Sequence, residues 1–272
     1  MASGGFTYSP NINDTNTGTK FFSVCVDNFF KDPDSIREFA LSLPKEPDPV
    51  GGWPGFRTTV LQDIDREFWN ILILKSLSTY FDLKHDNIKW EDSRVVFQLI
   101  PPYSGKKNNG SNVGWIHKDV GFDLAGLIYL TPDADPDSGT SLFNLKKEKE
   151  DIFLDNMRQS AKHMWKKERD KISEEDYIKQ LNAWNENFIE KNRFQNIYNR
   201  LIMYDAQEFH RANNFYTGSS DRLTCVFFLK GVQLGGQFRS GRYPQNRVVD
   251  FENFDDKLTW RINSLTKGNE NV

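Results

Sequence analysis

The sequence predicts an α+β fold, in which a β-rich core is preceded by supporting helices and interrupted by a helical insertion. Three observations predict it. Apolar runs of strand length at 93–100, 126–130, 199–205 and 221–229 are separated by turn-forming residues. Helical spacings of apolar residues occur ahead of these runs and again between about 145 and 195. The 22 Phe and 7 Trp in 272 residues suit a β interior lined with large side chains. Length alone permits one large domain or two small ones and is ample for a buried core. No internal repeat and no second strand–helix series is present, so a single domain is expected over 20–265. A flexible segment is expected at 1–19 and a flexible tail at 266–272.

Each element has a local reason. Lys20 to Phe30 reads as a strand leading into a helix, with Asp32 as its cap and Pro33 at the first helical position, where a missing N–H costs nothing. Ile36, Phe39, Ala40 and Leu43 then recur at helical spacing until Pro44 ends the run. Four prolines and three glycines make residues 44–57 a loop. Its Trp53, Phe56 and Arg57 either wall a substrate pocket or pin the loop to the core. A second helix is expected from Asp63 or Asp65 to about Phe81, with Phe68, Ile71, Leu72 and Leu74 on its buried side. Ser93–Ile100 is a strand closed by Pro101-Pro102. The polar, glycine-rich segment up to Asn112 reads as mobile, either a lid over a site or a plain connection.

In the insertion, Ile152, Phe153, Met157, Ala161, Met164 and Trp165 fall at helical spacing. Ser173-Glu174-Glu175-Asp176 then reads as a capping box, followed by an apolar face of Tyr177, Leu181, Trp184 and Phe188. The pattern predicts a helical hairpin. His85 and His163 sit in charged surroundings and read as surface residues. Residues 235–244 read as a loop carrying arginines, with a short extra element ending near Leu265.

Composition narrows the function classes. A net charge of −3 and a pI near 5.9 argue against a protein that wraps nucleic acid. The sequence has neither a charged-then-apolar leader nor an apolar run of about eighteen residues, so a cytoplasmic, membrane-free protein is expected. Cys25 and Cys225 lie in apolar runs and read as small buried hydrophobes rather than a disulfide.

The chemistry concentrates in Trp115-Ile116-His117-Lys118-Asp119-Val120. On a strand, His117 and Asp119 share a face, which gives half of a two-histidine, one-carboxylate metal site. His210, after a strand and a turn, is the candidate third ligand. Twelve residues later Arg222 and Thr224 share a strand face, aiming a guanidinium fork and a hydroxyl at one spot, an arrangement suited to a carboxylate.

His-x-Asp, a later His and an Arg-x-Thr strand, in this order, resemble the Fe(II)- and 2-oxoglutarate-dependent oxygenase superfamily, in its prolyl-hydroxylase-like branch, which includes bacteriophage-encoded members. Gly126–Leu130 resembles the strand after that superfamily's first metal strand, and Ser138–Phe143 resembles its Gly-Gly-x-Leu-x-Phe segment. The likeness runs roughly from Ser93 to Val232. It implies a double-stranded β-helix, or jelly-roll, core. It implies His117, Asp119 and His210 as iron ligands and catalytic centre, Arg222 as anchor of the far carboxylate of 2-oxoglutarate, Thr224 as its helper, and Tyr129 in the same pocket. It further implies Fe(II), 2-oxoglutarate and O₂ as cofactor and cosubstrates, ascorbate as a reductant, and decarboxylation to succinate coupled to hydroxylation. The substrate would be a peptide or protein side chain, or a small molecule. AlkB-like repair of nucleic acid is the rival, but that family's second arginine falls on Phe228. A catalytically silent jelly-roll binding protein is the other. A halogenase is excluded because Asp119 is present.

Overall fold

In a computed structural model of the chain, the described residues are 21–49, 52–81, 83, 88–147, 172–218, 220–234 and 251–267. The sequence readings at 1–19, His85, His163, the first half of the helical insertion and the loop at 235–244 lie outside them. The strands are β1 (Val24–Val26), β2 (Glu46–Pro47), β3 (Phe56–Arg57), β4 (Ile88–Lys89), β5 (Asp92–Ile100), β6 (Leu124–Tyr129), β7 (Thr140–Leu145), β8 (Phe188–Phe194), β9 (Leu201–Asp205), β10 (Phe209–Ala212), β11 (Arg222–Lys230) and β12 (Gln233–Leu234). The helices are α1 (Pro33–Ser42), α2 (Leu61–Ile64), α3 (Arg66–Leu77), α4 (Glu174–Asn185) and α5 (Phe251–Lys267).

The architecture is α+β with antiparallel sheets. Seven strands run in the order β1-β9-β6-β11-β5-β3-β2, three in the order β10-β7-β8, and β12 pairs with β4. β11 is the spine of the large sheet, pairing with β5 over its full length and with β6 on the other side. One face of that sheet meets the helices: Phe97, Leu223, Cys225 and Phe227 pack with Phe39, Phe68, Leu72 and Leu258 in the main core. Burying such a side chain fully contributes roughly 1.5–3 kcal/mol, so this face fixes the register of the strands. The opposite face is left to line the site.

The helix caps match their sequence signals. Asp32 accepts from Ser35 N, Asp65 from Phe68 N, and Ser173 from Asp176 N. Asn199, at a positive φ of 64°, binds Phe30 through both side-chain atoms and so joins the N-terminal support to the start of β9. Lys75, fully buried on α3, donates to Phe29 O and pairs with Asp255 of α5. Burial lowers its pKa, and the Asp255 bond opposes that shift.

Several expectations need correction. Phe188 does not extend the α4 face: it opens β8, which pairs with β7. The 44–57 loop contributes β2 and β3, which extend the large sheet at its edge. Gly55, at a φ of +67°, allows that contact, since a side chain there would collide with Leu99 O. The segment expected to be mobile before Trp115 is tied down, with Ser111 and Asn112 buried and Asn112 bonded to Ser104 and Lys106. Cys25 is exposed, while Cys225 is buried as expected. α5 is a helix of 17 residues where only a short element was expected. No helix among the described residues is long and apolar enough to cross a membrane.

Candidate active site

His117, Asp119 and His210 converge, with one ligand atom from each lying within 4.8 Å of the others. Asp119 Oδ2 is 3.2 Å from His210 Nε2, and its Oδ1 is 3.9 Å from His117 Nε2. The imidazole centroids are 4.3 Å apart. Asp119 is almost fully buried, while the His117 side chain retains 19% exposure, so the group opens on one side. His117 and Asp119 are not on a regular strand, contrary to the expectation. A single bridge pairs His117 with His210, each backbone N–H donating to the other's carbonyl at 3.0 and 2.9 Å. Asp119 N donates to Ala206 O at 2.9 Å.

The ring hydrogen bonds decide the tautomers. His117 Nδ1 lies 2.8 Å from Trp115 O, and His210 Nδ1 lies 2.9 Å from Glu208 O. A carbonyl only accepts, so each Nδ1 carries a proton and each neutral imidazole presents the Nε2 lone pair to the centre. That is how metal-ligating histidines are ordinarily held. Two nitrogen donors and a carboxylate on one side therefore suit a transition metal with coordination positions to spare.

The segment bearing His117 is gripped by α4. Trp115 is buried and donates through Nε1 to Tyr177 OH at 2.9 Å. Asn185 accepts from Ile116 N and donates to Gly114 O, and Trp184 Nε1 donates to Ile116 O at 2.8 Å. The sequence marked Tyr177 and Trp184 as packing, did not single out Asn185, and missed this role. Apart from the Trp115–Tyr177 bond they go to backbone groups, so no residue pattern at 114–117 announces them.

The triad opens into a cavity of about 580 Å³. Its lining alternates along the strands: Arg94, Val96, Gln98 and Ile100 of β5, then Arg222, Val226 and Phe228 of β11. Arg222 is buried, donates through Nε to Ser138 O at 3.2 Å, and lies over the Tyr129 ring. Its Nη2 has no acceptor, and neither does the buried Thr224 hydroxyl. Burial lowers the Arg222 pKa, with Tyr129 and Tyr204 opposing. Thr224 and Tyr129 stand opposite one another in the β11–β6 register but do not line the cavity. Tyr129 instead donates to Thr140, which does. Of the loop residues singled out from sequence, Trp53 and Arg57 line the cavity, whereas Phe56 is exposed outside it.

The family described as "Family of unknown function (DUF6445)" matches residues 9–229 of this chain. No curated protein matches significantly. The solved structures that resemble it are prolyl-4-hydroxylases and other 2-oxoglutarate- and Fe(II)-dependent oxygenases. A prolyl-4-hydroxylase from Pseudomonas putida is 12% identical over 76% of this chain and 91% of its own, with a TM-score of 0.40. A prolyl hydroxylase from Trichoplax adhaerens, solved in complex with a hypoxia inducible factor oxygen degradation domain peptide fragment, is 10% identical over 77% and 83%, with a TM-score of 0.42. HygX from Streptomyces hygroscopicus, solved with nickel and 2-oxoglutarate bound, is 10% identical over 76% and 82%, with a TM-score of 0.41. At such identities the reaction has to be read from the site itself.

Proposed function

This chain belongs to the DUF6445 family of unknown function, and we propose that it is an Fe(II)- and 2-oxoglutarate-dependent dioxygenase. In this reading it is built on a jelly-roll frame and hydroxylates a peptide or protein side chain in the manner of the prolyl hydroxylases. The observation that carries the reading is a pair of unlike half-sites on one cavity. On one side, two imidazoles whose Nδ1 atoms are bonded to backbone carbonyls turn their Nε2 atoms toward a carboxylate. On the other, a buried guanidinium has an Nη2 without an acceptor.

The residues fit the groups assigned to them. His117, Asp119 and His210 would hold Fe(II), and Arg222 would take the far carboxylate of 2-oxoglutarate, supplying the acceptor its Nη2 lacks. Thr224 and Tyr129, which do not line the cavity, would support Arg222 from behind. Together Fe(II), 2-oxoglutarate and O₂ supply an oxidation of substrate C–H coupled to decarboxylation of the cosubstrate to succinate and CO₂. The chain's own contribution is orientation. The Nδ1–carbonyl bonds hold both imidazoles in one tautomer, and the planar fork of Arg222 fixes how a diacid lies. Phe122, Leu127, Val226 and Phe228 give the cavity apolar walls that exclude water. The rival nucleic-acid demethylase reading needs a guanidinium where Phe228 stands.

The test is succinate release. Protein supplied with Fe(II), ascorbate and 2-oxoglutarate is expected to release succinate slowly without a prime substrate, and His117→Ala and Arg222→Ala are expected to abolish it. No release from the wild-type protein would leave a binding protein. Stimulation by proline-containing peptides, and not by methylated oligonucleotides, would support the substrate class.

A further inference from the structure

The same cavity holds a second guanidinium that the dioxygenase chemistry leaves unemployed. Arg57 of β3 lines it, with its Cζ 4.5 Å from the centroid of the Trp53 ring and 5.9 Å from that of Phe228. Its Nη2 donates to Gln98 Oε1 at 3.2 Å, a neutral acceptor, and its Nε has none. The indole Nε1 of Trp53 is likewise a buried donor with no partner. Among the described residues Arg57 makes no ion pair, and the carboxylates whose charge reaches it are Asp119 and Asp48. Asp119 belongs to the triad, and Asp48 already accepts from Gly52 N. A part-buried cation without a paired anion is costly in proportion to its burial, and so are buried N–H groups without acceptors.

Arg57 and Arg222 are also distinct in register. Arg57 stands opposite Gln98, and Gln98 stands opposite Thr224, so the Arg57 row crosses β5 two residues away from the row of Arg222 and Ile100. One guanidinium suits one end of a small diacid, which leaves the other for a second anion.

We propose that Arg57, with Trp53 and Gln98, forms a subsite for an oxyanion carried by the prime substrate, in the first place a carboxylate. The proposal rests on the dioxygenase reading, because it is that reading which assigns Arg222 to the cosubstrate. The planar fork takes the carboxylate, the indole N–H adds a donor, and the rings of Trp53 and Phe228 flank the guanidinium. Burial pushes Arg57 down to about 10 against the opposing charges of Asp119 and Asp48, so it remains a cation at neutral pH.

The experiment reads binding without turnover. Protein loaded with Zn(II) in place of Fe(II), and saturated with 2-oxoglutarate, is titrated with the N-acetyl methylamides of glutamate, glutamine and phosphoserine, and followed by calorimetry. The glutamate probe is expected to bind about tenfold tighter than the glutamine probe. Arg57→Gln should erase that gap, and Arg57→Lys should keep part of it, which separates loss of the charge from loss of the fold. A phosphoserine probe that outbinds glutamate and depends on Arg57 supports the subsite and names phosphate as the anion. Equal binding of the glutamate and glutamine probes, or a preference that survives Arg57→Gln, overturns the proposal. So does a loss of 2-oxoglutarate affinity in Arg57→Gln as large as in Arg222→Gln, which would make Arg57 a cosubstrate residue. Succinate release is scored separately, so a failed dioxygenase reading with intact probe selectivity is told apart from the reverse.

Discussion

The two ends of the cavity are finished to different degrees. At the triad, both Nδ1 protons go to backbone carbonyls, His117 and His210 exchange backbone hydrogen bonds, and α4 holds the preceding residues through three side chains. Around Arg222 and Thr224, a guanidinium nitrogen and a hydroxyl are buried with nothing to bind. The protein completes the first end by itself and leaves the second for a ligand to complete. An orphaned donor on the cavity wall, as at Arg222 Nη2, is where a ligand would add an acceptor, whereas the satisfied groups of the triad are in place before it arrives.

Substitutions can break this contrast in graded steps. The largest effect is expected from His210→Ala or His117→Ala, which should weaken divalent-metal binding by at least about a hundredfold in a competition titration. Next, Arg222→Leu should lower 2-oxoglutarate affinity by about a hundredfold while leaving metal binding intact. The same change should also stabilise the ligand-free protein in thermal melts, by about 1 kcal/mol, because it removes a buried charge that lacks a full set of partners. A destabilised Arg222→Leu protein would mean that Arg222 is already satisfied and that the contrast is false. Asn185→Ala, which cuts the tether between α4 and the His117 segment, is expected to cost about tenfold in metal affinity and little in 2-oxoglutarate binding. Thr224→Val is the mildest: a few-fold loss for 2-oxoglutarate and less than about 1 kcal/mol in stability, since the hydroxyl has no protein partner to lose.

Much of this was legible in the chain. Strands with a clean division between a core face and a cavity face, β5 and β11 above all, announce themselves by alternation, and that alternation carried Arg222 to the cavity wall. His117 and Asp119 converge as two-residue spacing implied, although only one bridge is present there, because extended backbone alternates its side chains with or without a full ladder. What escaped has physical causes. β8 lies at the edge of the small sheet, with Ile189 58% exposed among charged neighbours. No inward-facing series distinguishes it, and Trp184 with Phe188 continues the helical spacing of α4. β2 and β3 are two residues each, too short for any period. The burial of Ser111 and Asn112 depends on hydrogen bonds closed within a turn, which composition does not reveal. Arg57 was legible as a candidate pocket wall, but as a loop residue; its pairing with Gln98 of β5 is what places it on a strand.

The reciprocal backbone bridge between His117 and His210 has a further consequence. Peptide geometry sets the span between the two imidazoles, so the cation does not have to gather its ligands from a disordered chain. Small domains that fold only around their ion collapse when a chelator removes it. Here stripping and recharging with a divalent metal should proceed on an intact scaffold, without passing through an unfolded intermediate.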